Sequence, residues 1–113
     1  MTKTAIERYV SSAVDHGRAT RIGDSRACNV AYGFIAEALK ALRGTPDRGE
    51  AALTQLLSHP DESVRTWAST HLLPLNETLA CRVLEGVAAN SGPVAFSAAM
   101  VLKGWRAGRL KVP

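Results

Sequence analysis

No stretch of this chain approaches the roughly 18 consecutive apolar residues that a membrane-spanning helix needs. Its opening, MTKTAIERYVSSAVDHG, carries charges where a secretory signal would be apolar. The sequence therefore reads as a cytosolic chain with no membrane partner. Cysteine is scarce: Cys28 and Cys81 stand far apart, with no CxxC and no paired histidine nearby, so neither zinc-site spacing nor a disulfide framework is present. Both are expected to be small buried apolar residues. Acidic residues stop at Glu85. Up to that point ten of the fourteen basic residues face all ten acids, and the formal net charge of +4 comes from Lys103, Arg106, Arg109 and Lys111. Also missing is any run of four or more residues alternating with the period of a strand.

The absences extend to chemistry. There is no glycine-rich phosphate loop, no GxSxG elbow and no cysteine with a histidine partner in sequence. His16, His59 and His71 lack the HExxH or i, i+4 spacing that would hold a metal. His71 falls on the stripe of Val64, Trp67 and Ala68 and is expected to be a hydrogen-bonded, partly buried packing residue; His16 is expected at a helix C-terminus, where a cation is favourable. The sequence implies no catalytic residue, cofactor or metal, and hence no enzyme.

What is present is apolar spacing of helical period from end to end, which makes the chain an all-α protein of six helices in one domain, 1–113. The first helix is expected from Thr4 to Asp15, opening on a Thr4/Glu7 capping box and closing at Gly17, with Ile6, Tyr9, Val10, Ala13 and Val14 on its apolar stripe. The second runs from Asp24 to before Gly44, with Cys28, Tyr32, Ile35, Leu39 and Leu42. Gly33 in its interior costs about 1 kcal/mol against alanine unless close packing needs the bare backbone. The third follows Thr45-Pro46, with Asp47 and Glu50 as a capping pair, and ends at Ser58. The fourth spans Asp61 to Leu73 and is stopped by Pro74; the fifth is capped by Asn76; the sixth follows Ser91-Gly92-Pro93 and carries Val94, Phe96, Ala98, Val101, Leu102 and Trp105. Links this short make neighbouring helices antiparallel.

The third and fourth helices, about 47–73, and the fifth and sixth, about 76–105, repeat at an offset near 30 residues. The internal identity is weak: Leu53 with Leu84, Val64 with Phe96 or Ala95, Ala68 with Ala99. Asp61, Val64, Arg65 and Ala68, within HPDESVRTWASTHLLP, resemble the second helix of a HEAT repeat. That resemblance implies a short stack of antiparallel hairpins in which Asp61 caps the helix, Val64 and Ala68 face the next hairpin, and Arg65 ties adjacent repeats. Trp67 and Trp105 are expected to be at least half buried.

The pieces GDSRACNVAYGF, LLSHPDESVRTWAS, HLLP, VLEGVAA and FSAAMVLKGWRAGRL, in this order over residues 20–112, resemble the bacterial family known as domain of unknown function 2019. The resemblance rests most on Gly23-Asp24, Asn29, Tyr32, His59-Pro60, Val64-Arg65, Trp67-Ala68, Trp105, Gly108 and Leu110. It implies a HEAT-like helical fold, no established activity and, for some members, association with toxin and immunity genes. Two further groups stand out. Asn29 and Tyr32 share a face of the second helix, Asp24 lies at its start, and the three are expected to form a buried hydrogen-bond network. Lys103, Arg106, Arg109 and Lys111 are expected on a solvated helix end, with Lys111 in a tail frayed by Gly108. The functional expectation is a noncatalytic protein-binding module, in its specific form an immunity or accessory protein neutralising a toxin; the alternative is nucleic-acid binding through the basic C-terminal segment.

Overall fold

The computed structural model describes residues 3–113, so the first two residues of the expected domain lie outside it. Six helices follow one another: α1 (Ala5–Ile22), α2 (Ser25–Arg43), α3 (Glu50–Leu56), α4 (Glu62–Leu72), α5 (Glu77–Ala88) and α6 (Pro93–Arg106). Most of their boundaries come from local chemistry. Thr4 and Glu7 form the reciprocal capping box of α1, Asp24 accepts from the Ala27 amide at 3.0 Å, and Asn76 accepts from Leu79 at 3.3 Å. Asp61 caps α4 with bonds from Ser63 (2.7 Å) and Val64 (3.2 Å). Pro93 takes the first position of α6, where its missing N–H costs nothing.

Two boundaries differ from expectation. α1 does not close at Gly17. It continues to Ile22 and ends at Gly23, whose φ of 72° is the left-handed conformation of a helix C-cap. His16 consequently lies inside the helix. α3 begins at Glu50 and not beside Asp47. The Asp47 carboxylate instead organises the preceding turn, accepting from Gly49 at 3.0 Å, Ala51 at 2.9 Å and the Thr45 hydroxyl at 2.8 Å. Those bonds hold its carboxyl below the usual carboxylate range, the Ala51 amide contributing most. They also steady a backbone in which Arg48 and Gly49 both have positive φ.

Three antiparallel hairpins result: α1/α2, α3/α4 and α5/α6. α4 lies at the centre, packed on α3 and α5 and also on α1 and α6. Second helix meets second helix where α4 touches α6, but in the first hairpin it is α1 that crosses α4 and α6, while α2 packs chiefly on α1. The core runs through all three hairpins: Tyr9 and Ala13, then Ile35 and Leu39, Leu53, Val64, Ala68 and Leu72, and finally Leu84, Ala98 and Leu102. Each fully buried Leu or Ile contributes roughly 1.5–3 kcal/mol. Val64 and Ala68 are wholly buried and belong to this core. Trp67 and Trp105 are partly buried and packed against the core. In the repeat, Ala95 and not the exposed Phe96 is the buried counterpart of Val64, and Ala98 rather than exposed Ala99 corresponds to Ala68.

Arg65 is structural in a different way from the one expected. It ties no adjacent repeat; its guanidinium donates to the carbonyls of His59 (2.7 Å) and Pro60 (2.9 Å) in the loop just before its own helix. That loop is further fixed by the Asp61 amide donating to His59 Nδ1 at 3.0 Å. Arg65→Ala should therefore lower stability by roughly 1–2 kcal/mol, seen as a lower Tm with unchanged helix content. An unaltered Tm would show the clamp to be idle.

Candidate functional site

α4 looks polar, yet eight of its eleven residues are buried, among them Ser63, Thr66, Ser69 and Thr70. Three of these hydroxyls escape the cost of burial by donating within the helix, Thr66 to Glu62 O (2.8 Å), Ser69 to Arg65 O (2.6 Å) and Thr70 to Thr66 O (2.7 Å). Ser63 does not. Its side chain is buried and its Oγ has no partner, a defect that usually costs about 1–3 kcal/mol.

Ser63 lies where α1 crosses α4, and Gly17 makes that crossing fit: a Cβ on Gly17 would overlap the Ser63 side chain. Beside the crossing, the three helices enclose a cleft of about 230 Å³. Each wall is one helical stripe: His16, Gly17 and Thr20 from α1; Ser63, Thr66, Trp67 and Thr70 from α4; Val94, Ser97 and Val101 from α6. The His16 ring stands edge-on to Trp67, with centroids 5.0 Å apart at 85°. Tyr32 approaches the same indole from α2 at 5.8 Å, and His71 from within α4 at 5.5 Å. Glu62 braces the rim, pairing with Arg21 of α1 at 3.2 Å and accepting from Asn90 at 3.4 Å.

In the core, on the other side of a ring contact between His71 and Trp67, Tyr9 Oη meets His71 Nδ1 at 2.7 Å. Burial raises the Tyr9 pKa well above its usual value and drives that of His71 down to about 3, with the Arg43 charge acting in the same direction on the histidine. Both groups are thus neutral at ordinary pH, and the phenol donates to the imidazole. Arg43 closes the network by donating to the carbonyls of His71 (2.6 Å) and Arg48 (3.0 Å). His71 is the hydrogen-bonded packing residue expected from its stripe. His16, within the cleft, also has its pKa lowered by burial. Neither histidine is hydrogen-bonded to Ser63; within the cleft His16 Nδ1 instead meets the Thr20 hydroxyl at 3.3 Å. Among the described residues no three His, Cys, Asp or Glu side chains gather to hold a metal.

The other residues singled out by sequence lie elsewhere. Asp24, Asn29 and Tyr32 do not form a buried network: all three are exposed, Asp24 is occupied with its cap, and Tyr32, 52% exposed, leans on Trp67. Gly33 has open space about it, so close packing does not explain it. Lys103, Arg106, Arg109 and Lys111 are exposed, as expected of a solvated end, with Arg106 paired to Glu85 at 2.6 Å. The tail is not frayed. Gly108 adopts a φ of 70°, the Arg109 and Leu110 amides both bond to Gly104 O, and Leu110 and Val112 pack on the core. Cys28 and Cys81 are free and partly exposed, not fully buried.

A second surface lies on the outer edge of α1 and α2. Facing stripes from the two helices, Asp15, Arg18, Ala19 and Ile22 against Arg26, Ala27, Val30, Ala31 and Phe34, line a shallow hollow. Its apolar centre is open to solvent, with Ile22 exposed by 74%, Val30 by 57% and Phe34 by 62%. No helix among the described residues is long and apolar enough to cross a membrane.

A family model described as a domain of unknown function, DUF2019, matches residues 5–105 of this chain. A comparison with curated proteins gives no match. The crystal structure of the protein RPA1889 from Rhodopseudomonas palustris CGA009 is similar to the whole fold, with a TM-score of 0.84 at 23% identity over 96% of this chain and 91% of that one. At that identity the likeness speaks to the fold alone.

Proposed function

The chain belongs to the DUF2019 family of domains of unknown function, and from that premise we propose that it is a noncatalytic module that binds another protein through the outer face of α1 and α2. The observation that carries this reading is the clustering of Ile22, Val30 and Phe34, three large apolar side chains left mostly in water in one hollow. Burying them against a partner returns the free energy that their exposure forgoes, and charges of both signs at the rim, Asp15, Arg18, Asp24 and Arg26, suit the border of such an interface. The toxin and immunity association implied by the family resemblance makes a toxin the partner class to test first. A chain of net charge +4 would block one by covering its surface, not by imitating nucleic acid.

Val30→Asp together with Phe34→Asp should leave the melting curve unchanged, since both side chains already face water. The pair should abolish stoichiometric recovery of the partner in affinity purification from the native host, a loss of at least about tenfold in affinity. Undiminished recovery would sink the assignment of this face. The alternative, nucleic-acid binding by Lys103, Arg106, Arg109 and Lys111, has less support, because Arg106 is engaged by Glu85 and the ten other cations of the chain are matched by ten acids. Nuclease-sensitive recovery of many proteins, lost when these four residues are neutralised, would move it to first place.

A further inference from the structure

We propose that the open side of α6 is a docking surface for an acidic amphipathic helix of a partner protein, separate from the α1/α2 face.

Phe96 and Met100 stand in water on α6, exposed by 65% and 49%. Four residues apart, they lie one above the other on the helix, and Lys103, seven residues on from Phe96, continues the same line roughly 10 Å along the axis. The opposite side of α6 is sealed into the core by Val94, Ala98 and Leu102. Exposed Ala99 beside the line is small enough to let a second helix come close.

Charge identifies the occupant. Residues 86–113 contain no acid, and Lys103, Arg106, Arg109 and Lys111 are all exposed. Among the described residues only Arg106 of these four has an ion-pair partner, Glu85. The last two cations are held against α6 by an ordered tail. The Arg109 and Leu110 amides bond to Gly104 O at 2.9 and 3.1 Å, and Leu110 rests on the bare backbone of Gly104. One side of α6 thus runs from apolar at Phe96 to cationic beyond Lys103. Its complement is a helix with apolar residues one turn apart followed by carboxylates, an apolar contact that gives affinity and a charged one that fixes direction.

Two other polyanions match less well. Lipid headgroups and a phosphate backbone present unbroken rows of charge, which would press against Glu77 and Glu85 beside Arg106; carboxylates on a helix occupy chosen positions and avoid them. Phe96 and Met100 alone are also a narrow apolar face for a bilayer, and the outside of a duplex backbone would leave both in water.

The test uses the full chain and a synthetic amphipathic helix with leucine on one face and glutamate on the other, followed by amide chemical shifts. The peptide should shift α6 and the tail saturably, with a Kd on the order of 10⁻⁵ M at low salt, and should weaken as salt rises. Its glutamine counterpart should bind at least about tenfold more weakly. Phe96→Ser with Met100→Ser should weaken the acidic peptide by about fivefold or more with an unchanged melting curve, and Lys103→Glu with Arg109→Glu should abolish binding. Val30→Asp with Phe34→Asp should leave it intact, so this surface and the α1/α2 face stand or fall separately. Equal binding of the glutamine peptide, full affinity in the Phe96 and Met100 variant, or loss in the Val30 and Phe34 variant would each overturn the proposal. So would binding to vesicles of phosphatidylserine and phosphatidylcholine, or to oligothymidine, at an anion concentration where the peptide leaves the spectrum unchanged.

Discussion

Gly17→Ala should destabilise the protein by about 3 kcal/mol, although helix propensity alone predicts the opposite sign. Alanine in a helix interior is worth roughly 0.5–1 kcal/mol over glycine, and Gly17 is in the middle of an 18-residue helix. Against that stands sterics. The added Cβ would come within 2.5 Å of Ser63 Cβ and overlap its oxygen, and both residues belong to helix backbones that cannot yield locally. α1 must then lift from α4, loosening the junction that joins the first hairpin to the other two. Overpacking of this kind costs typically 1–3 kcal/mol and at times more, so the steric effect wins. Denaturant unfolding supplies the measurement, and the double variant Gly17→Ala with Ser63→Gly should recover part of the loss by removing the opposing atoms. A midpoint that rises in Gly17→Ala alone would show that the helices do not meet there.

The same residue illustrates what could be read in advance. Gly17 invites interpretation as a helix terminator because glycine commonly ends helices, and only the crossing of α4, 46 residues further on, explains why it sits mid-helix. The true stop, Gly23 followed by the Asp24 cap, was also visible, since both residues act through their immediate neighbours. Local devices were legible in general: Thr4 with Glu7, Asp61, Asn76 and Pro93 all act where the sequence suggests. Faces were less so. Periodicity assigned Tyr32 and Phe96 to buried stripes, yet both are exposed: Tyr32 only leans on the Trp67 indole of α4 and is not covered by it. The reverse error hides the cleft. Ser63, Thr66 and Thr70 carry no apolar signal that would mark them as buried, yet tertiary packing buries them and carbonyls one turn back satisfy two of the three. Sequence placed His71 on a packing stripe but could not supply Tyr9, 62 residues away.

Acid should unfold this protein through His71, and the pH at which it begins to weaken is the second large effect expected. In the unfolded chain the imidazole titrates at its ordinary value of 6.5, whereas in the fold its pKa is lowered to about 3, first by burial and then by the Arg43 charge. Between these values the unfolded state binds a proton that the native state refuses, so stability is complete above pH 6.5 and declines as pH falls toward 3. The full gap corresponds to roughly 4–5 kcal/mol, with a slope of up to about 1.4 kcal/mol per pH unit, a large share of a small domain's typical 5–15 kcal/mol. His16, lowered by burial alone, adds a loss of the same sign. Asp47 acts lower down, since its carboxyl is depressed from 3.8 and its contribution is lost only as pH falls below that. The two histidines can be separated by replacing Tyr9 and His71 together, Tyr9→Phe with His71→Leu, which removes the buried proton acceptor without stranding the phenol. Between pH 6 and 4.5 the unfolding free energy of the double variant should fall less steeply than that of the parent by about one proton's slope. The His71 ring resonances of the parent should stay fixed until the chain unfolds. A His71 that titrates near 6.5 in the folded protein would show that water reaches the ring, and the Tyr9 to His71 bond could not then be sealed in the core.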